Sequence, residues 1–404
     1  MKTVVILGDG MADEPIERLG DRTPLDVAFH PNMDQLASRA AEFGLARTVP
    51  HGLPAGSDVA NLSVFGFDPQ AVYTGRSPLE AASIGISLQE KDVTYRCNLV
   101  CLSDAAHMED ATMLDYAAGE ITTEEAAQLI SFLNARFADE THSLYTGISY
   151  RHILLLHDAE TGAQLTPPHD ISGQTVKGRL PRGTHAELMR EIMEYAYQTL
   201  RDHPVNVRRR QQGLPEANAV WFWGEGRRPS LPRYDEAFRA KGMVISAVDL
   251  IRGIGKCTGM EVPKIEGATG TYHTNFKGKS EACISALKNG YDFVYIHMEA
   301  ADECGHQGLL KEKIYSIEQM DRLVLAPVWN ALEAMGEDYR ILLMPDHPTP
   351  YALRTHTDTP VPYVLYRKGD ACDRDCRYTE RDAKSQTDRV VSAHKILWER
   401  HNFS

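Results

Sequence analysis

VVILGDG, residues 4–10, decides the fold: four aliphatic residues run without alternation and stop at two glycines around Asp9. A short unalternating run of this kind is typical of a strand that is buried on both faces. The same pattern recurs in FVYIHME at residues 293–299 and in ILLMPDH at residues 341–347. Since parallel α/β sheets build their sites at the carboxyl ends of strands, we expect the polar residues that end these runs to meet.

The segment between the last two runs has helical character. Apolar residues recur at helical spacing from Leu310 to Met335, and Pro327 predicts a kink or a break in that helix. Strands and helices thus alternate along the chain. The sequence therefore predicts an α/β fold in which helices flank a mostly parallel sheet.

The middle of the chain, residues 89–215, reads differently. Strand-like runs at 95–102 and 152–156 are mixed there with several turn-rich stretches. Two helices are predicted to begin after Thr122 and Thr184, because each threonine opens a capping box with a glutamate three residues later. This mixture predicts a smaller α+β region inside the chain.

Composition excludes several classes of protein. The 404 residues include 43 Lys+Arg and 56 Asp+Glu, a formal net charge of −13, which disfavours nucleic acid as a partner. No apolar run approaches the ~20 residues that a membrane span needs. Seven cysteines without a C-x-x-C pair favour a reducing compartment, so we expect a cytoplasmic protein. The arginine-rich run at residues 207–212 is predicted to be a solvated linker rather than a binding patch.

Carboxylates and imidazoles cluster at the ends of the predicted strands. Asp302 and His306 are four residues apart, so a helix would present both side chains on one face. Taken singly, each such residue has an ordinary explanation as a helix cap or a buried polar group. Taken together, a mixed oxygen and nitrogen set suits two Mn²⁺, Mg²⁺ or Zn²⁺ ions. The predicted ligands are Asp9, Asp302, His306, Asp346, His347 and His356.

Ser57 is the predicted nucleophile. It stands in GSD at residues 56–58, where small residues lead into a predicted helix. Either Ser57 merely caps that helix, or it reacts at the helix amino terminus, where the dipole and free N–H groups favour a phosphate. Beside two cations, the second alternative predicts phosphoryl transfer.

Seven segments, in order and in context, resemble the archaeal type of cofactor-independent phosphoglycerate mutase, within the alkaline phosphatase superfamily. They are residues 8–10, 56–58, 73–82, 248–256, 302–306, 346–350 and 355–362. The resemblance covers nearly the whole chain. It implies an alkaline-phosphatase-like sheet interrupted by an inserted domain, so we predict one domain from residues 1–88 and 216–404 and a substrate-binding insert from residues 89–215.

The resemblance also implies a reaction. Ser57 would take the phosphoryl group of 3-phosphoglycerate and return it to the 2-hydroxyl, giving 2-phosphoglycerate without 2,3-bisphosphoglycerate as a cofactor. Closure of the insert would keep water from the phosphoserine. Two divalent ions are implied, with Mn²⁺ favoured and Mg²⁺ or Zn²⁺ as alternatives. One would be held by Asp302, His306 and His356, and the other by Asp9, Ser57, Asp346 and His347.

Further residues are carried over for a small phosphorylated substrate. Lys256 is expected to act on the transition state, and Arg227 with Arg228 is expected to bind phosphate, since guanidinium groups suit bidentate capture of an anion. In the insert, the candidates that hold glycerate and move its proton are Arg151, His169 and Asp170.

The chain departs from the archaeal pattern at three positions. Arginines are expected where Tyr116, Ala117 and Glu120 stand. Loss of these cations leaves a homoserine-kinase-like phosphotransferase or a phosphatase open as alternatives, with a non-enzymatic binding protein as the remaining class. A nucleotide signature is absent, because GIGK at residues 253–256 lacks the earlier glycine and the following Ser or Thr of a phosphate-binding loop.

Overall fold

The computed structural model describes residues 1–387 and 389–398, and the runs that begin at Val4, Phe293 and Ile341 all lie in strands. Val4 to Leu7 have no exposed surface, as expected for a strand covered on both faces. The strands are β1 (Lys2–Gly8), β2 (Glu42–Arg47), β3 (Val93–Leu102), β4 (Met113–Asp115), β5 (His142–Ile148), β6 (Arg151–Leu156), β7 (Ala163–Gln164), β8 (Arg182–Gly183), β9 (Ala219–Arg227), β10 (Gly242–Ile245), β11 (Phe293–Met298), β12 (Tyr339–Met344), β13 (Val361–Arg367) and β14 (Val390–Ser392).

Helices connect most of these strands. They are α1 (Pro24–Val27), α2 (Pro31–Arg39), α3 (Ser57–Phe65), α4 (Pro69–Val72), α5 (Ser77–Ser83), α6 (Thr123–Phe137), α7 (Ala186–Thr199), α8 (Pro204–Gln211), α9 (Tyr234–Phe238), α10 (Asp249–Cys257), α11 (Phe276–Lys288), α12 (Ala300–Gln307), α13 (Leu310–Met320), α14 (Ala326–Met335) and α15 (Glu380–Gln386).

The chain divides into two units, each with its own core. The first unit comprises Met1–Tyr73 and the chain from Ser230 onward, and the second comprises Thr74–Pro229. Within the described residues, the sheet of the first unit has the strand order β10-β11-β1-β12-β13-β2-β14. β1 pairs in parallel with β11 and with β12, and β13 runs antiparallel to both of its neighbours. The predicted mostly parallel sheet flanked by helices is confirmed.

The helical segment before β12 shows how Pro327 is accommodated. α13 ends at Met320, a π-helical stretch covers Asp321–Leu325, and Pro327 lies in the first turn of α14. Proline has no N–H and crowds the preceding turn of a helix, and the wider π-helical stretch just before Pro327 accommodates both effects. The predicted break is therefore a local widening of one helical run.

The second unit is an antiparallel sheet with helices. β3 pairs with β4, β6 and β9, and β6 pairs with β5. Apolar residues of this sheet form one core with α6 and α7. Thr122 caps α6 as predicted by accepting from the N–H of Glu125, but the prediction for Thr184 is wrong because α7 begins at Ala186 after His185.

Two predictions about the edges of this region need correction. β9 was expected in the first unit, yet it pairs with β3 along most of its length, and α5 also packs on β3, so the second unit spans 74–229 rather than 89–215. The predicted solvated linker at residues 207–212 lies largely in α8. Arg209 is buried there and donates to Glu125 and to the carbonyls of Ala118 and Pro215.

Among the described residues, no helix combines the length and the apolar character that crossing a membrane requires.

Candidate functional site

The loops that follow β1, β11 and β12 meet at one edge of the first unit's sheet. Asp9 follows β1, Asp302 lies in α12 directly after β11, and Asp346 follows β12. Because the three strands are parallel neighbours, their carboxyl ends bring these acids together. Gly10, with φ of 60°, makes the close approach possible, since a Cβ there would lie 2.6 Å from the Asp302 Cα.

Ser57 and His347 form the centre of an inner cluster. The Ser57 Oγ lies 3.0 Å from the Nε2 of His347. The same Nε2 lies 3.3 Å from the Oδ2 of Asp346 and 3.6 Å from the Oδ1 of Asp9. Ser57 is the first residue of α3 and Gly56 is its N-cap, so the serine is not the cap of the helix. We call Asp9, Ser57, Asp346 and His347 the inner cluster.

Asp302, His306 and His356 form an outer cluster. The Asp302 carboxylate lies 3.3 Å from the Nε2 of His306 and 3.4 Å from the Nε2 of His356. The two imidazole Nε2 atoms are 2.9 Å apart. His306 Nδ1 lies 2.9 Å from the carbonyl oxygen of Arg354, a contact that fits an Nδ1–H donor and leaves Nε2 as the ring atom that faces Asp302. All seven residues predicted as ligands thus lie in these two clusters.

Asn61 orients the inner cluster from the second turn of α3. Its Nδ2 donates to the Oδ2 of Asp346 over 2.8 Å, and its Oδ1 accepts from the hydroxyl of Tyr295 over 2.6 Å. The N–H groups of Gly10 and His347 donate to the other oxygen of Asp346. Asp346 is therefore fixed by three donors in a site with no exposed surface.

His297 and Lys279 were missed as contributors to this edge. The Nε2 of His297 lies 2.9 Å from the Oδ2 of Asp9, and the buried ammonium of Lys279 donates to the carbonyl oxygen of His297 over 2.9 Å. His297 ends a buried strand, the same signal that identified Asp9 and Asp346. Nothing in the local pattern around Lys279, inside α11, indicates such a contact.

Electrostatics of the inner cluster favours a cation. Burial, together with the charges of Asp346 and Asp302, holds the pKa of Asp9 well above its usual value. The Oδ1 of Asp9 is buried and has no hydrogen-bond partner among the described residues. A buried carboxylate oxygen without a donor costs free energy unless a cation or a proton balances it. The donor set of the site, with both oxygen and nitrogen ligands, thus fits a divalent ion.

The outer cluster has the opposite polarity. Burial alone would raise the pKa of Asp302, but hydrogen bonds from His306 and His356 outweigh it and hold that pKa well below its usual value. Burial opposes protonation of His306, yet the Asp302 carboxylate raises the pKa of its imidazole to about 9. The protons on these imidazole nitrogens occupy positions that a cation could take, because a metal ion displaces the proton from the imidazole nitrogen that it binds.

Groups of possible ligand atoms extend across both clusters. Atoms within 4.8 Å of one another come from Asp302, His347 and His356; from Asp9, His297 and Asp346; and from Asp9, Glu299 and Asp302. Asp9 and Asp302 each occur in two of these groups. The two clusters are therefore one continuous site.

The other predicted residues lie elsewhere. Lys256 is exposed in the last turn of α10. His169 and Asp170 lie in a 3-10 turn of the second unit, and the Nε2 of His169 is 3.5 Å from the Oδ1 of Asp170. Arg227 ends β9 and donates to the carbonyl of Ala159 over 2.9 Å, whereas the guanidinium of Arg228 contacts the carbonyl of Leu88 at 3.4 Å.

Guanidinium groups and aromatic rings gather on one face of the second unit's sheet. Arg96 of β3 stacks 4.0 Å from the ring centroid of Trp223, and its Nε donates to Glu80. Arg76 donates to the same carboxylate over 2.9 Å. Arg151, at the start of β6, has a buried Nε without a hydrogen-bond partner among the described residues. We call Arg76, Arg96, Arg151 and Trp223 the basic face.

Tyr116 lies beside this face. Its ring contacts those of Tyr150 and His169, and its carbonyl accepts from Asn98, which in turn accepts from the Trp223 indole over 2.9 Å. Tyr116, one of the three positions that depart from the archaeal pattern, thus adds an aromatic ring to a region where Arg96 and Arg151 supply the positive charge. Sequence spacing did not reveal Arg76 or Arg96, because Arg76 precedes α5 and Arg96 lies in β3, and the two meet only where α5 packs on that strand.

Comparisons with known proteins agree with one another. A family model described as 2,3-bisphosphoglycerate-independent phosphoglycerate mutase matches residues 38–206. The chain is 49% identical to the probable 2,3-bisphosphoglycerate-independent phosphoglycerate mutase of Geobacter sulfurreducens, covering 91% of this chain and 90% of that one. It is 46% identical to the 2,3-bisphosphoglycerate-independent phosphoglycerate mutase of Methanosarcina acetivorans, covering 98% of both chains.

Solved structures give the same result. A Pyrococcus horikoshii protein superimposes with a TM-score of 0.81 at 31% identity, covering 98% of this chain and 95% of that one. The cofactor-independent phosphoglycerate mutase of Thermoplasma acidophilum superimposes with a TM-score of 0.65 at 26% identity, covering 98% of both chains.

Proposed function

This chain belongs to the 2,3-bisphosphoglycerate-independent phosphoglycerate mutases, isomerases that interconvert 3-phosphoglycerate and 2-phosphoglycerate, and we propose that it transfers the phosphoryl group through Ser57. The observation that carries the proposal is the inner cluster. A serine hydroxyl at the start of a nine-residue helix lies 3.0 Å from an imidazole nitrogen and beside two buried carboxylates. Free N–H groups and the dipole of such a helix end favour a phosphate.

Two divalent cations would act at the site, and we propose Mn²⁺, with Mg²⁺ or Zn²⁺ as alternatives. When bound, they would neutralise the charge that develops on the phosphoryl oxygens during an in-line transfer. The inner cluster would hold one ion and the outer cluster the other. The unpartnered Oδ1 of Asp9 and the facing Nε2 atoms of His306 and His356 support this assignment.

The phosphoryl transfer takes place in two steps. Ser57 Oγ forms a bond to phosphorus while the bond from phosphorus to the 3-oxygen breaks, the serine proton is lost, and the departing glycerate oxygen is protonated. The glycerate 2-oxygen then forms a bond to phosphorus while the bond from phosphorus to Ser57 Oγ breaks; the 2-hydroxyl gives up its proton, and Ser57 Oγ is protonated again. No bisphosphorylated cofactor is needed, because the enzyme itself carries the phosphoryl group between the two oxygens.

We propose that the second unit binds the anionic groups of the substrate. Arg151, whose Nε is buried and unpartnered among the described residues, is the best-supported contact, and Arg96 adds a second cation on the same face. Burial, with Arg76 and Arg151 nearby, lowers the pKa of Arg96 to about 10 despite the attraction of Glu80, so it stays charged at neutral pH. Arg227, Arg228, His169 and Asp170 remain proposed substrate contacts, with Asp170 as a proton carrier, and Lys256 remains a proposed transition-state contact.

The proposed reaction would take place in the cytoplasm. Cys97, Cys283 and Cys304 are buried free thiols, which is typical of a reducing compartment.

Replacing the nucleophile tests the proposal. With Mn²⁺ and without added 2,3-bisphosphoglycerate, we expect the wild type to convert 3-phosphoglycerate and Ser57→Ala to lose at least about 10⁴-fold in turnover. Quenched wild-type reactions should carry one phosphoryl group on Ser57 by mass spectrometry.

Ser63→Ala is the matched control, because Ser63 lies in the same helix and its buried hydroxyl donates to the carbonyl of Thr48. It should keep its turnover and lose only stability. Retained mutase activity in Ser57→Ala with unchanged Mn²⁺ binding would exclude the covalent route.

A further inference from the structure

Thr349 lies between the two clusters and belongs to neither set of predicted ligands. Its side chain has no exposed surface. Its N–H donates to the carbonyl of Ala12, and its own carbonyl accepts from the buried ammonium of Lys313 over 2.8 Å. Lys313 also pairs with Asp13 over 2.6 Å, so the loops after β1 and β12 are tied to α13 at this point. The position of the Thr349 hydroxyl is therefore fixed by backbone contacts.

The Thr349 hydroxyl contacts one residue of each cluster. It donates to the Oδ1 of Asp302 in the outer cluster, and its oxygen lies 3.4 Å from the Nδ1 of His347 in the inner cluster. A hydroxyl has a single proton, and a carboxylate only accepts. With that proton given to Asp302, the Thr349 oxygen is left to accept from an Nδ1–H of His347.

This direction fixes the tautomer of His347. A proton on Nδ1 leaves the lone pair on Nε2, the atom that faces Ser57, Asp346 and Asp9. A lone pair facing two carboxylate oxygens is repulsive unless a cation lies among them. The hydrogen-bond direction thus leaves the Nε2 of His347 able to bind a cation. It also gives Asp302 a hydrogen bond at Oδ1.

Packing leaves Thr349 no room to turn away. A Cβ at Gly10 would lie 2.6 Å from the Thr349 Oγ1, and a Cβ at Gly305 would lie 2.8 Å from its methyl carbon. The His347 and His356 rings also stack, with centroids 3.9 Å apart, so the inner and outer clusters touch on a second side. A shift of either Asp302 or His347 is therefore transmitted to the other.

We propose that Thr349 is a positioning residue that couples the two cation sites, so that an ion in one cluster orders the ligands of the other. The proposal rests on the proposed function, because it assumes one divalent ion in each cluster. It predicts that the two ions bind with positive cooperativity and that this cooperativity depends on the hydroxyl. Removing a hydrogen bond to a ligand commonly weakens metal affinity 10- to 100-fold.

Calorimetric titration of metal-free full-length protein with MnCl₂ tests the coupling. We expect two Mn²⁺ per wild-type chain with the second ion bound more tightly, and in Thr349→Val a loss of about tenfold in affinity with independent sites. Thr349→Ser should retain the wild-type cooperativity. Should Thr349→Val not fold, Thr349→Ser against Thr349→Ala repeats the comparison, since that pair differs only in the hydroxyl.

Thr258→Val is the matched control. Thr258 is equally buried in the first unit, and its hydroxyl donates to the carbonyls of Ile254 and Gly255. It should lose stability while keeping two cooperative Mn²⁺ sites. Cooperativity in Thr349→Val equal to that of the wild type would overturn the coupling while the two-cation site stands. Fewer than two Mn²⁺ bound by the wild type would overturn the site and the coupling together.

Discussion

The two units assemble charge in opposite ways. The first unit collects carboxylates and imidazoles at the ends of neighbouring parallel strands, whereas the second collects guanidinium groups and aromatic rings on one face of an antiparallel sheet. In the inner cluster Asp9 is buried, and its Oδ1 has no hydrogen-bond partner among the described residues. On the basic face of the second unit, Arg76, Arg96 and Arg151 surround a single carboxylate, and Arg76 and Arg96 both donate to Glu80. The inner cluster thus has a deficit of positive charge and the basic face an excess.

This contrast teaches how an acidic chain can act on an anionic substrate. The net charge of −13 describes the whole surface and not the site. Cations at the first unit's strand ends would reverse the local sign, and the basic face of the second unit is positive without help. The comparison therefore predicts that substitutions in the first unit change cation binding, whereas those in the basic face change substrate binding.

Asp9→Asn should have the largest effect. The amide oxygen of the asparagine can still accept from His297 at the position of Oδ2. The substitution removes the negative charge of Asp9 that repels Asp346 and Asp302. We expect kcat to fall by about 10³-fold or more and Mn²⁺ binding to weaken, while the metal-free protein becomes more stable by about 1 kcal/mol. Calorimetry measures the weaker Mn²⁺ binding, and urea unfolding measures the higher stability of the metal-free protein.

Asp338→Asn, an exposed carboxylate of the first unit, is the control and should change neither quantity. A metal-free Asp9→Asn protein less stable than the wild type would show that Asp9 supports the fold rather than opposing it.

Arg151→Gln should have a smaller effect of a different kind. Loss of one charge-assisted contact to the substrate is expected to raise KM for 3-phosphoglycerate about 100-fold, with a smaller change in kcat. Mn²⁺ titrations should match the wild type, since Arg151 lies in the second unit. Arg179→Gln, an exposed arginine of the same unit, is the control. A fall in kcat at constant KM would show that Arg151 does not contribute to substrate binding.

The same contrast explains what the sequence could predict. Asp9, Asp302 and Asp346 follow buried strands directly, so local pattern identified them and parallel pairing brought them together. The basic face had no such signal. The antiparallel register brings together Arg96, Arg151 and Trp223 from three strands, and Arg76 joins them because it precedes α5, which packs on β3.

Local rules also failed where tertiary contacts were stronger. Thr184 has the capping-box spacing, but its hydroxyl contacts the carbonyl of Thr161 instead of capping α7. Arg209 stands in a run of charges typical of a solvated segment, yet three of its nitrogens bond inside the second unit. Spacing alone cannot distinguish a solvated guanidinium from one that satisfies buried carbonyls.

Two buried groups, one in each unit, should change stability in opposite directions with pH, and this is the smallest effect that we predict. In the second unit, burial lowers the pKa of His152 to about 3, because its Nε2 is buried without a partner among the described residues. Below the unfolded pKa near 6.5, the unfolded chain takes up a proton that the folded chain does not. The second unit should therefore lose about 2 kcal/mol between pH 7 and pH 5.

In the first unit, burial raises the pKa of Glu380 to about 7, against hydrogen bonds from Thr23 and from the N–H of Asp13. Between the ordinary value near 4.5 and pH 7 the folded chain holds a proton that the unfolded chain lacks, so this group stabilises the first unit by about 2 kcal/mol on acidification from pH 7 to pH 5. Hydrogen exchange followed by mass spectrometry measures the two units separately. His152→Asn should flatten the slope of the second unit only, and Glu380→Gln that of the first only. His107→Asn, an exposed histidine of the second unit, should change neither slope, and slopes that shift in the same direction in His152→Asn and Glu380→Gln would contradict the opposition.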